Sequence, residues 1–283
     1  QPKFGELYDA NGTLVADHMN LPPEKLDPNN PLNAFYNRKV GIAQLSDLNE
    51  NDPRLLPYLL GAYEQWIDQG ADAFRIDTIG WLPHSFWHAF SQKIREKRPG
   101  FFMFGEAFDY DAKKIAEHTW AENANASVLD FPLKQALANL FEKPSSDFAT
   151  LAEPLHLTDG PYANPYELMT FYDNHDMPRM KASDDGFIDA HNWLFTAEHA
   201  GNRNYFGVER IEAARTHPIR AALARIAKVR AASPALQRGL QVNIELKGDR
   251  AAFYRVYQHD GRHQIALVLL NKGDAAQRFE RML

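Results

Sequence analysis

An α/β architecture of the (β/α)8 TIM-barrel type, followed by a small antiparallel β domain, is the fold class this sequence predicts. Three observations predict it. Short apolar runs alternate with helical segments from about residue 52 onward. Each run closes on a polar or charged residue, as strands do at the catalytic rim of a barrel. After Pro234 the pattern changes to successive short strands joined by glycine-containing turns.

The elements follow in order. Residues 1 to about 50 are rich in Asn, Pro and Asp, as in LPPEKLDPNNPLN, and read as irregular loop. The first strong helix comes next, with Asp52 as N-cap, Pro53 at the first helical position and Gly70 as its end. Leu55, Leu56, Leu59, Leu60, Tyr63, Trp66 and Ile67 give it one broad apolar face. ADAFRID at 71–77 is a short buried strand. A helix with Phe86, Phe90 and Ile94 four apart follows and is stopped by Pro99-Gly100. FFMFGE at 101–106, ASVLDFP at 126–132 and ELMTFYDNHD at 167–176 repeat the strand pattern. LQVNIEL, AAFYRVYQ, HQIALVLLN and AQRFERML then read as short strands with HDGR and NKGD turns. The expected organisation is a loop region over 1–50, barrel strands and helices over 51–235, and a β domain beginning at 236 and running to 283.

Bulk properties narrow the partners. The chain has 283 residues, of which 45% are apolar, enough for a substantial core; its net charge is −6. Basic residues are scattered rather than gathered into a stripe, so nucleic acid is not an expected partner. No run of 18 apolar residues occurs, which excludes a spanning helix. Without cysteine there are neither disulfides nor thiolate metal sites. A secreted or periplasmic location is expected, with any targeting segment removed or omitted ahead of Gln1.

The chemistry sits in three carboxylates at the ends of three expected strands: Asp77 after FRI, Glu106 after MFG, and Asp176 in DNHD. In a barrel such ends converge on one face, although 29 and then 70 residues separate these three in sequence. Glycoside hydrolysis with retention needs an ionised carboxylate nucleophile and a carboxylic acid about 5–5.5 Å apart. Arg75, two residues before Asp77 on the same strand face, is placed to hold that carboxyl ionised. Glu106, between Phe104, Gly105, Ala107 and Phe108, is in a setting where desolvation favours the protonated acid. Asp176 supplies a fixed charge near a developing oxocarbenium ion. Taken singly each is weak evidence. A strand-end Asp caps a helix or pairs with an Arg as often as it catalyses, and His175 alone is more often a structural histidine. The three in this order are far more specific.

FRIDTIGW, FGEAF and FYDNHD resemble the nucleophile, acid/base and third-carboxylate motifs of the α-amylase family, glycoside hydrolase family thirteen. AQLSDLNENDP is similar to the segment that leaves that family's inserted loop domain before the fourth barrel strand. Together with GELYDANGTLVADH it looks closest to the branch of cyclodextrin glucanotransferases and bacterial α-amylases. The resemblance implies Asp77 as nucleophile, Glu106 as general acid/base and Asp176 as transition-state stabiliser, with Arg75 orienting Asp77 and His175 binding sugar hydroxyls. It implies Asp47 as one ligand of a structural calcium ion, and Arg203 in AGNRNYF either as a donor-side contact or as an ordinary surface ion pair. The implied substrate is an α-1,4-glucan or maltooligosaccharide, and hydrolysis or transglycosylation follows according to whether water or a sugar hydroxyl meets the intermediate.

The sequence also departs from the pattern. The first three barrel strands and the eighth are not readable, so these residues are expected to be part of a longer protein, or to need a complementing chain. Gly80 and Trp81 stand where many relatives have Lys and His; Trp81 either packs on the next helix or offers its indole to a sugar. Phe108 either stacks on an acceptor sugar or covers the acid. Ala43 replaces the aromatic around which cyclodextrin-forming relatives wrap a glucan, which predicts linear products. Two rival readings fit the sequence less well. A magnesium-dependent barrel enzyme needs a facing lysine or histidine base that the sequence does not offer. A non-catalytic sugar-binding homologue fits poorly with three intact carboxylates.

Overall fold

A computed structural model describes residues 3–42, 45–196, 212–213 and 215–280. Two compact units partition the chain: residues 1–103 with 121–126, and residues 104–120 with 127–283.

In the first unit, β1 (Glu6–Tyr8) and β2 (Leu14–Asp17) form an antiparallel hairpin. Its turn is built by Asp9, whose carboxylate accepts the backbone N–H groups of Asn11 and Thr13, with Gly12 at φ 79°. Irregular chain then returns across the hairpin: Asn33 donates to the Asp17 carbonyl and the Tyr36 hydroxyl donates to the Gly5 carbonyl. The irregular loop expected over this region is therefore corrected in part: it opens with a hairpin that the sequence did not announce, and side-chain hydrogen bonds order the rest.

Helix α1 (Leu55–Asp68) begins later than the sequence suggested. Asp52 does not cap the helix. Its carboxylate accepts the Arg54 backbone N–H and pairs with the Arg54 guanidinium, closing a turn that precedes the first helical residue. Gly70, at φ 100°, ends the helix as expected, a backbone region open to glycine. Only Leu55 and Ile67 of the expected apolar face are buried, and Trp66 is 59% exposed. Tyr63 makes edge contacts with Phe74 of β3 (Ala73–Ile76) and with Phe90. Helix α2 (His84–Lys97) buries Phe86, Phe90 and Ile94, the four-apart stripe, together with Trp87.

Strand β4 (Phe102–Gly105) carries the chain into the second unit. It runs parallel to β5 (Ser127–Val128), with Phe104 opposite Ser127 and Gly105 opposite Val128. Between them lies the short helix α3 (Ala112–Ala116). A third parallel segment adds to β5 through Met169, whose N–H donates to the Val128 carbonyl at 3.0 Å. The expected strand at 167–176 is thus a single bridge, and the rest of it is loop. Helix α4 (Phe131–Phe141) is nearly all buried, and α5 (Asp184–Thr196) lays Ala190, Trp193 and Leu194 into the same core.

After α6 (Pro218–Ala231) and α7 (Pro234–Arg238), the strands β6 (Leu240–Lys247), β7 (Arg250–His259) and β8 (Arg262–Asn271) form an antiparallel sheet. The β7–β8 turn places Asp260 and Gly261 at positive φ, the conformation a two-residue hairpin of the right twist requires. HDGR is therefore a hairpin turn as read. One sheet face, with Ala251, Phe253 and Val268, packs on the α4–α5 core around Leu137, Phe148 and Trp193. The other face leaves Leu240, Val242, Ile265, Leu267 and Leu269 exposed. AQRFERML gives no strand over its described residues 276–280; Arg278 there spends its carbonyl on Arg250 rather than on a ladder.

Candidate active site

The first unit presents Asp77 immediately after β3. Its carboxylate is 64% exposed and lies 2.5 Å from the Arg75 guanidinium, so the pair expected from the strand spacing is formed. The chain then turns sharply through Thr78 at φ 49°. The buried Trp87 indole fixes that turn by donating to the Ile79 carbonyl at 2.7 Å. Beyond it Trp81 is 58% exposed, so much of its surface is open to solvent.

Asp47 lies in the same unit. Its Oδ2, the Leu48 carbonyl and Glu50 Oε2 all lie within 3.1 Å of the Asn37 amide nitrogen. Lys39 approaches Asp47 at 3.9 Å. Three hard oxygens converge there, a donor set that suits calcium in kind. Among the described residues no group of three acidic or histidine side chains is gathered anywhere, so further ligands would have to be carbonyls or water.

In the second unit Glu106 follows β4 and is 7% exposed, as its apolar neighbours implied. Phe108 stays open to solvent while its ring packs on Phe131 at 4.6 Å and on Tyr110 at 6.1 Å. Leu129 donates to the Gly105 carbonyl, so the ends of β4 and β5 are level and Asp130 follows at the foot of α4. Asp130 is wholly enclosed. Its side chain accepts the Leu133 N–H at 3.0 Å, and burial pushes its carboxyl up to about 7 against that hydrogen bond.

The 173–180 loop holds the third motif. Asp173 is buried and takes the Arg179 guanidinium at 2.8 Å and the Met180 N–H at 3.2 Å. Arg179 also donates to the Asn174 carbonyl. This clamp fixes both ends of the turn that carries His175 and Asp176, which are exposed and 3.0 Å apart, imidazole to carboxylate. The structure thus pairs Arg75 with Asp77 and His175 with Asp176. Arg203 lies outside the described residues, as does Ala43.

Sequence reasoning missed the clamp and Asp130. Asp173 and Arg179 are six apart with a proline between them, a spacing that announces no pair. Asp130 in VLDFP had one usable signal, an Asp directly before a helix-opening Phe-Pro.

Comparison with known proteins adds an independent line. The α-amylase catalytic-domain family matches residues 27–187, more than half of the chain. A cyclomaltodextrin glucanotransferase of Niallia circulans is 32% identical over 191 residues, covering 65% of this chain and 26% of that protein. An α-amylase of the same organism is 31% identical over 184 residues, covering 63% of this chain and 34% of that protein. The chain thus spans about a quarter to a third of the length of these relatives. A solved cyclomaltodextrin glucanotransferase with a three-domain arrangement superposes at a TM-score of 0.73 with 24% identity, over 95% of this chain and 59% of its own, a likeness of fold. With the family match spanning the segments that carry Asp77, Glu106 and Asp176, this chain belongs to the α-amylase catalytic-domain family.

Proposed function

We propose that the protein is a retaining α-glucoside hydrolase acting on α-1,4-glucans or maltooligosaccharides, its parallel strands belonging to a (β/α)8 barrel. One observation carries the reading: within the family-matched segment, the carboxylates required for double displacement follow strands or a clamped loop, with Arg75 on Asp77 and His175 beside Asp176. In the first step the Asp77 carboxylate attacks the anomeric carbon, and Glu106 gives its proton to the departing glycosidic oxygen. That leaves a glycosyl ester on Asp77 and an ionised Glu106. In the second step Glu106 takes a proton from water, whose oxygen attacks the same carbon and frees Asp77. Asp176 and the hydroxyl-binding His175 favour the positively charged transition state of both steps. Incubation with maltooligosaccharides and product analysis tests this directly. Release of shorter chains with the α-configuration supports it, and an inverted product refutes it.

A glucanotransferase is the second reading, favoured by the glucanotransferase relatives. It uses the same ester and differs only in the second nucleophile. Closing a ring costs loop entropy that grows with chain length, and Ala43 has no ring on which to guide a glucan. Linear products are expected from a starch digest. Abundant six- to eight-glucose rings, on the scale expected for guided cyclisation, would refute the argument from Ala43.

Calcium belongs to the same proposal, held by Asp47 with neighbouring oxygens and stiffening the loop region. A chelator should lower the thermal midpoint by roughly 5 °C, and added calcium should restore it. A midpoint indifferent to chelation removes calcium from the picture. Among the described residues no helix is long and apolar enough to cross a membrane. A secreted or periplasmic location is proposed with the function.

A further inference from the structure

The second unit contains a cleft of about 580 Å³ that the carboxylate chemistry does not use. Three pieces of chain make it: the segment from Tyr110 into α3, the outer face of α4, and residues 150–161. Glu106, His175 and Asp176 do not line it. Its volume falls within the range of about 300–1,000 Å³ typical of small-molecule sites.

We propose that this cleft is a second binding site for a short stretch of α-glucan, separate from the catalytic carboxylates. The choice of sugar rests on the α-glucan reading, whereas the polarity of the ligand is argued from the walls. Tyr110 offers a half-open ring whose orientation is fixed by edge contacts with Phe131 at 5.9 Å and Phe108 at 6.1 Å. A rigid aromatic presented in this way suits the apolar face of a pyranose and loses little entropy on binding. The same cleft is lined by Gln135 and Asn139, whose amides meet only through a 3.4 Å contact, the outer limit of a hydrogen bond. Most of their donor and acceptor capacity therefore remains for hydroxyl groups.

The charges point the same way. Lys113 and Glu153 contribute one ammonium and one carboxylate, neither with an ion-pair partner among the described residues. The Asp111 carboxylate is committed to capping α3 by accepting the Lys113 N–H. Opposite free charges at one cleft select neither an anion nor a cation, and both hydrogen-bond well to neutral hydroxyls. His156 adds a ring held edgewise by Tyr162 at 5.7 Å, and three prolines supply apolar wall. Mixed amides, one free charge of each sign and an aromatic face describe a site for a neutral, hydroxyl-rich chain.

The test is affinity electrophoresis of the full-length protein through gels containing soluble starch, in a Glu106→Gln background so that starch survives. Tyr110→Ala, and separately the double variant Asn139→Ala with Glu153→Ala, should each weaken starch retardation by about fivefold or more. Asn139 and Glu153 are surface residues, so the double variant keeps the test meaningful should the Tyr110 change disturb its neighbours. In otherwise active enzyme, the double variant should turn over maltotriose within about twofold of the parent. Retardation equal to the parent's in both variants overturns the second site while leaving the α-glucan reading intact. A matching loss of maltotriose turnover overturns it too, by placing the cleft within the catalytic subsites. A parent that starch does not retard overturns both readings together.

Discussion

Asp77→Asn and Glu106→Gln should each lower turnover of maltooligosaccharides by roughly a thousandfold or more while sugar binding survives. Both changes keep shape and remove one chemical capacity. An amide at position 77 cannot form the glycosyl ester, and it surrenders the ion pair with Arg75. An amide at position 106 cannot deliver a proton to the leaving oxygen, and burial leaves little room for water to act in its stead. The two variants should differ in a diagnostic way. A glycosyl fluoride leaves without protonation, so it should recover much of the first step in Glu106→Gln and none of it in Asp77→Asn. Fluoride release in a stopped assay checks this. Retention of a third of normal turnover by either variant, or equal recovery by both on the fluoride, would show the roles to be misassigned.

What could be read from the sequence was whatever a short window contains. FRI-D and MFG-E are apolar strand bodies closed by a carboxylate, and Phe86, Phe90 and Ile94 form a stripe one turn apart. Each signal is local and each element formed, although the strand over 73–76, read as buried, buries only Ile76. The misreadings arose where two local rules competed. Asp52-Pro53 has the composition of a helix start, yet the Asp52 carboxylate is better satisfied by Arg54 in a preceding turn. ELMTFYDNHD has strand composition, but only Met169 finds a parallel neighbour, and beyond it the ion pair of buried Asp173 with Arg179 imposes a loop. The cleft lined by Tyr110, Gln135 and Asn139 was invisible for a different reason. Its walls come from residues 110–113, 132–139 and 150–161, and no window holds all three.

Asp130 gives the second large effect, because a fully enclosed carboxylate makes stability depend on pH. Its folded-state value is raised from 3.8 to about 7, chiefly by burial, with only the Leu133 N–H opposing. Nearby, the buried Tyr162 hydroxyl has no hydrogen-bond partner among the described residues, and burial and then the Asp130 charge push its ionisation upward. Both groups are therefore best kept neutral. The space beside Asp130 is about 10 Å³, close to what one water needs, so an ionised carboxylate cannot be well rehydrated in place. Between pH near 4 and pH about 7, the folded chain holds a proton that the unfolded chain has released. Stability from this group accordingly falls as pH rises through that window and levels off above it. The whole fall is on the order of 4 kcal/mol. Asp130→Asn keeps the oxygen that accepts the Leu133 N–H but cannot ionise. A buried amide adds a constant offset of its own, so the prediction concerns the trend. The stability of the variant relative to the parent should climb between pH 4 and pH 8, reaching a plateau near pH 8. Denaturant midpoints of the two proteins, measured across that range, decide the matter. A difference that stays flat, or that falls as pH rises, would mean that Asp130 is ionised in the folded protein and is needed in that form.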